Sequence, residues 1–322
     1  MKTDTTHASG APAVVGAPWP DFSAALTAAA EGVEAALDAC LPQPTAALGE
    51  RELVDAMRYA VMGGGKRLRA FLAVEAGRLM GADPARALRC GAALECLHAY
   101  SLVHDDLPCM DDDDLRRGKP TVHRAWDEAT AVLAGDALQT VAFEILADPA
   151  THPDGAVRAS LCLRLAQASG AAGMVGGQAL DLAAEKAAER ADGGVLDGVS
   201  VKRLQAMKTG ALLEVAAELG ALVAEAPAAA VAAIRAYARA LGEAFQIADD
   251  LLDVTGTEAE VGKRVGKDAD AGKATFVDIL GIDGARARAQ ALVDEAAAAL
   301  APFGAGAGLL TAAAQFVVDR RS

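Results

Sequence analysis

Apolar residues recur every three to four positions along most of this chain, the period of helices that bury one face. The spacing predicts helices near 21–40, 50–62, 66–80, 84–106, 128–147, 155–170, 199–219, 227–254 and 285–300, with a last one over 308–319. Clusters of Gly, Pro and Asp at 81–84, 148–154, 191–194 and 255–262 interrupt the pattern and read as connections. No segment alternates apolar and polar residues between turn signals, so no strand is expected. The fold class is therefore all-α, a single-domain bundle of about ten or more helices over residues 21–322. Residues 1–20 lack the apolar core of a signal peptide and read as a disordered tail. Residues 296–318 are uncharged and long enough to raise the question of a membrane span. Pro302, Gly304, Gly306 and Gly308 divide them into a helix end, a connection and a final helix, so no span is expected.

Composition supports this. Hydrophobic residues make up 53% of the chain but aromatics only 4%, so the apolar share is carried by Ala, the strongest helix former. The formal charge of −14 argues against nucleic acid as a partner, though not against a small anion. Five cysteines, an odd number without paired metal spacing, fit a reducing, cytoplasmic compartment.

Two acidic clusters carry the chemistry. Asp105-Asp106-Leu107-Pro108-Cys109-Met110-Asp111-Asp112-Asp113-Asp114 ends one apolar segment, and Asp249-Asp250-Leu251-Leu252-Asp253 ends another. Gathered carboxylates repel and raise one another's pKa unless a cation neutralises them. Magnesium sits typically on one or two carboxylates plus substrate phosphates. Basic residues are concentrated at Lys66-Arg67-Leu68-Arg69, Arg116-Arg117, Lys263-Arg264, Lys267 and Lys273, most of them close in sequence to an acidic cluster. The pattern points to a magnesium-bridged diphosphate. Asp249 and Asp253 are one helical turn apart and share a face, with Gln246 a turn before. Asp105 and Asp111 would not share a face on an unbroken helix. Pro108 should break it and could swing Asp111 back, with Asp112 the alternative partner if the helix continued.

At these residues the chain resembles the bacterial short-chain polyprenyl diphosphate synthases. The likeness runs from about residue 50 to the C-terminus, on Gly64-Gly65-Lys66-Arg67-Leu68-Arg69, on His98 to His104 leading into the first acidic cluster, and on Arg116-Arg117-Gly118-Lys119-Pro120-Thr121. It continues through Gly135-Asp136, Gly176-Gly177-Gln178, Lys208-Thr209-Gly210, the second cluster, and Gly262-Lys263-Arg264 through Gly272-Lys273. The resemblance implies mostly antiparallel helices around a deep cavity. There an allylic diphosphate (dimethylallyl or geranyl) is condensed head-to-tail with isopentenyl diphosphate to give farnesyl diphosphate. It implies magnesium ions, three in the family's usual picture, on Asp105, Asp111 and Asp249. Lys66, Arg69, His98 and Arg117 would hold isopentenyl diphosphate, and Arg116, Lys208, Lys263 and Lys273 the allylic diphosphate. Thr209 and Gln246 would aim oxygen atoms at the allylic cation. Tyr100, with the Pro108-Cys109 insertion, would limit the product to fifteen carbons, whereas a smaller residue goes with geranylgeranyl diphosphate. A homodimer is implied as well. A class I cyclase or a head-to-head synthase would have no use for the Gly-Gly-Lys-Arg-Leu-Arg segment. A catalytically silent partner subunit usually loses the Asp or Lys residues that are all present here.

Overall fold

The computed structural model describes residues 20–44, 47–188, 198–255 and 275–319. Within them run α1 (Pro20–Cys40), α2 (Leu48–Val61), α3 (Leu68–Met80), α4 (Pro84–Asp105), the short β1 (Leu115–Arg116) and β2 (Lys119–Pro120), α5 (Val122–Ala125), α6 (Glu128–Ala147) and α7 (Gly155–Ser169). They continue as α8 (Met174–Ala188), α9 (Gly198–Gln205), a π turn (Ala206–Gly210), α10 (Ala211–Val223) and α11 (Ala228–Thr255). The last are α12 (Phe276–Leu300), a 3-10 segment (Ala301–Ala307) and α13 (Gly308–Asp319). Residues 1–19, and with them nearly all of the expected tail, lie outside the described residues.

The middle of the bundle is α4. Every residue from Cys90 to Leu97 is buried, as a helix surrounded on all sides requires. Helices α1, α2, α3, α6 and α10 pack against it. Its one charged residue in that run, Glu95, accepts from Arg67 at 2.9 Å. Arg67 also donates to the Val61 carbonyl at 2.6 Å. These bonds hold Arg67 at φ 51°, just before α3 begins, and explain why α3 starts at Leu68 rather than at 66. Small residues let the helices close up. Gly220 on α10 meets the Ala73 carbonyl and the Gly77 amide of α3 so closely that a Cβ would collide with both. The first and last described helices meet too: Phe22 of α1 stands edge-on to Phe71 of α3, centroids 5.3 Å apart, and 5.0 Å from Phe316 of α13.

Four expectations are corrected. Helix α8 was not among the expected helices; Gly176 and Gly177 lie inside it and let it touch the Lys208 turn. The predicted helix over 199–219 is divided by the π turn. The helix expected from 285 is preceded by a further segment from Phe276, where Thr275 and Asp278 form a reciprocal cap, the two parts meeting at the non-helical Gly281. A two-residue hairpin exists, Leu115 opposite Pro120 and Arg116 opposite Lys119, too short to show alternation. Residues 296–318 do form a helix end, a 3-10 connection and a final helix. By length and composition alone, Glu128–Ala147 and Phe276–Asp319 could each cross a membrane. The second is interrupted at Gly281 (φ 69°) and Gly304 (φ 57°), and α6 packs against α2, α4, α5 and α7.

The α3–α10 contact gives a test. Gly220→Ala should lower unfolding free energy by about 1–3 kcal/mol in urea, the usual cost of overpacking. Gly49→Ala, with nothing within 4 Å of the added methyl, should raise it by about 0.4–1 kcal/mol. Equal effects from the two would show that the helices can move apart at no cost.

Candidate active site

A cavity of about 700 Å³ opens between α3, α4, α6, α8, the π turn, α10 and α11. Arg69, His98, Tyr100, Asp105, Lys208, Thr209 and Asp249 all line it. These residues come from four separate stretches of the sequence, which the fold brings to one space.

The acidic side is built at two helix ends. Helix α4 stops at Asp105, three residues before Pro108. The chain then reverses, with the Asp111 amide donating to the Asp105 carbonyl at 2.8 Å and the Asp112 amide to Leu107 at 3.2 Å. Asp112 takes φ 49° at the end of this reversal. Asp111 thus returns to Asp105, as expected for a helix broken there. Burial, with Asp111 and Asp106 nearby, pushes the Asp105 carboxyl up to about 6 against the pull of Lys208 and Arg116. Asp106 turns the other way: buried, it takes a bidentate bond from Arg116 at 2.5–2.9 Å. In the second cluster Asp249 faces the cavity. Its neighbour Asp250 is buried, accepting from Gln246 Nε2 at 2.9 Å and from the Phe276 amide at 2.8 Å.

The basic side is centred on His98. Its ring nitrogen lies 3.3 Å from Arg69 Nη1. Burial and the surrounding Arg69, Arg117, Arg116 and Arg67 hold its pKa well below the usual histidine range, so it is neutral at pH 7. Arg117 lies flat against Gly65, where a Cβ would overlap its guanidinium, and donates to the Gly64 carbonyl. Gly65 at φ 119° is what allows this approach. Lys66 is exposed, its ammonium 5.6 Å from the Phe316 ring. Cations gathered around a neutral imidazole form a pocket suited to a polyanion.

The π turn displays Lys208 and Thr209, and turns of this kind often mark functional positions. Lys208 bonds Asp181 of α8 at 2.5 Å. Gly177 of α8 presses on the Lys208 backbone. Asp181 was not singled out from the sequence, and Gln178 was noted only as part of a motif. Gln178 lines the cavity, and among the described residues neither polar atom of its buried carboxamide has a hydrogen-bond partner. Tyr100 lines the cavity too, edge-on to His104 at 5.1 Å. Lys66, Asp111, Arg116, Arg117 and Gln246 are not on the lining itself. Lys263 and Lys273 lie outside the described residues.

The donor set suits a hard divalent cation: carboxylate oxygens from both acidic clusters face one cavity, and Asp105 carries the raised pKa of an under-neutralised group. Among the described residues no three His, Cys, Asp or Glu side chains converge closely enough to enclose a metal. The protein would therefore supply part of a coordination shell, which suits magnesium shared with a diphosphate.

Comparison with known proteins agrees with this chemistry. Residues 50–300 match the polyprenyl synthetase family. The chain is 44% identical over 299 residues to the farnesyl diphosphate synthase of Escherichia coli (strain K12), covering 88% of this chain and 97% of that one. It is 40% identical over 309 residues to a chloroplastic geranylgeranyl pyrophosphate synthase of Arabidopsis thaliana, covering 94% and 82%. The solved structure of an FPP/GFPP synthase from Zymomonas mobilis superposes with a TM-score of 0.82 at 47% identity, covering 92% of this chain and 99% of that one.

The state of His98 can be tested by pH. Below about 6.5 the unfolded chain takes up a proton at this histidine that the folded protein refuses, so stability falls as pH falls. His98→Gln removes that loss. Relative to wild type it should gain about 1 kcal/mol of unfolding free energy between pH 7.5 and 5.5. A difference that stays flat over this range would mean that the folded protein takes up a proton at His98 as readily as the unfolded chain does.

Proposed function

The chain belongs to the polyprenyl synthetase family as one of its prenyltransferases, and on that premise we propose that it condenses dimethylallyl and then geranyl diphosphate with isopentenyl diphosphate, releasing (E,E)-farnesyl diphosphate and diphosphate. The observation that carries this reading is the single cavity lined by both Asp105 and Asp249, by Lys208 and Thr209, and by the Arg69–His98 pair. A one-diphosphate enzyme has no need of the last.

In this reading Asp105, Asp111 and Asp249 hold the magnesium ions, three by family resemblance. Bound there, magnesium neutralises the charge that grows on the leaving diphosphate. Lys208, positioned by Asp181, adds a point charge on the same side. Arg116 shares its guanidinium between Asp106 and the allylic diphosphate, and Lys263 and Lys273 complete that grip. Lys66, Arg69, His98 and Arg117 hold isopentenyl diphosphate, His98 as a neutral donor. The allylic carbon–oxygen bond breaks with its electron pair on the diphosphate oxygen. The isopentenyl double bond attacks the cation, and the departing diphosphate takes the proton then lost. Thr209 contributes its hydroxyl oxygen. Gln246, whose Nε2 is engaged by Asp250, contributes its carbonyl. Such fixed dipoles contribute about 3 kcal/mol each to the transition state. A homodimer in the cytoplasm belongs to the same reading.

Product length rests on Tyr100. It lies five residues before Asp105 on α4, about 7.5 Å along the axis. It is buried, and its ring borders the cavity. A chain growing from the metal end toward this ring stops at fifteen carbons.

Two outcomes are expected from the purified enzyme. Radiolabelled isopentenyl diphosphate with dimethylallyl diphosphate should give product only with magnesium, none in EDTA, and Asp105→Asn or Asp249→Asn should each lower kcat at least about 100-fold. Near wild-type turnover in either variant would remove the metal assignment. Chromatography should show farnesyl diphosphate from the wild type and a shift to geranylgeranyl diphosphate in Tyr100→Ala. An active Tyr100→Ala enzyme that still stops at fifteen carbons would place the limit elsewhere, and twenty carbons from the wild type would make it a geranylgeranyl diphosphate synthase.

A further inference from the structure

Among the polar side chains on the cavity wall, Gln178 is set apart by its buried amide. Both Oε1 and Nε2 lack a partner among the described residues. A buried donor and acceptor left unmade are costly, so the arrangement makes sense when something that enters the cavity supplies both partners. Its surroundings say what that is. On its own helix Met174, Val175, Ala179 and Leu182 present apolar surface to the cavity, as does Leu212 of α10. Directly beside it stand Lys208 and Thr209, because Gly177 rests on the Lys208 backbone and Asp181 is bonded to the Lys208 ammonium at 2.5 Å. Gln178 therefore sits at the boundary between the hydrocarbon-lined and the charged parts of the wall. In an allylic diphosphate the atom at that boundary is C1, the carbon whose bond to oxygen breaks.

We propose that the Gln178 carboxamide is a catalytic contact for the ionising C1–O bond, its carbonyl oxygen facing the developing allylic cation and its N–H facing the departing diphosphate oxygen. This rests on the prenyl-transfer reading given above. When the bond breaks, the electron pair moves to the diphosphate oxygen, so positive charge grows toward Oε1 and negative charge toward Nε2–H. One fixed amide dipole then satisfies both of its orphaned ends, and only in the ionised state. Such an interaction, stronger in the transition state than in the ground state, raises kcat rather than tightening substrate binding.

The test uses the full chain with magnesium, in wild type, Gln178→Leu and Gln178→Met. In the absence of ligands both variants should melt at or above the wild-type temperature, because each removes a buried unpaired amide. With geranyl and isopentenyl diphosphates kcat should fall about 100-fold, with KM for isopentenyl diphosphate unchanged within about threefold. Binding is then measured by calorimetry for two probes: an azageranyl diphosphate, whose ammonium group mimics the cation, and geranyl S-thiolodiphosphate, which stays neutral at C1. The ammonium probe should lose about tenfold or more in affinity and the thiolo probe less than about threefold. Equal weakening of both probes, a lowered melting temperature with both probes weakened, or an unchanged kcat would each overturn the role of Gln178. A wild type that forms no prenyl product would overturn the proposed function and this inference with it.

Discussion

Successive residues on a helix point about 100° apart, so two adjacent aspartates cannot serve the same space. This constraint organises the site. In each Asp-Asp pair the first carboxylate faces the cavity and the second is buried in bonds to the scaffold. Asp106 takes the Arg116 guanidinium. Asp250 takes Gln246 and the first amide of α12. The scaffold member is what fixes the cavity member: a bidentate bond at the end of α4 and a cap on α12 leave Asp105 and Asp249 little freedom. What reads in the sequence as a charge run is two jobs interleaved, one structural and one chemical.

The same division holds for the basic residues. Arg67 is turned to Glu95, Glu34 and the Val61 carbonyl, while Arg69, two residues on, lines the cavity beside His98. The two pKa displacements then follow from one cause. Burial combined with neighbours of like sign raises Asp105 and lowers His98. In each half, burial and like charge act together, and the proposed metal and diphosphate would relieve that imbalance.

Much of this was legible in the sequence. Helical periodicity placed most helices to within a few residues, and the break at Pro108 placed Asp111 next to Asp105. Three things were not legible, each because tertiary contact overrides a local signal. Helix α8 forms around Gly176-Gly177, whose lack of side chains is what allows it to rest on the Lys208 turn. The π turn adds one residue per turn locally, which no averaged apolar period reveals. Gln178 announces itself only by its missing partners, a property of the surroundings and not of the residue.

The ring contacts of Phe22 bind the first described helix to the last, with Lys66 resting on the same Phe316 ring. Ribosomes deliver these pieces in order, and α13 follows every other described helix. Until it emerges, Phe22 lacks one of its two aromatic neighbours and the Lys66 loop lacks its support. Contacts spanning so much of a chain close late and slowly. The nascent protein thus closes the contact beneath its Lys66 loop only once α13 has emerged, so this end of the apolar interior stays open longest.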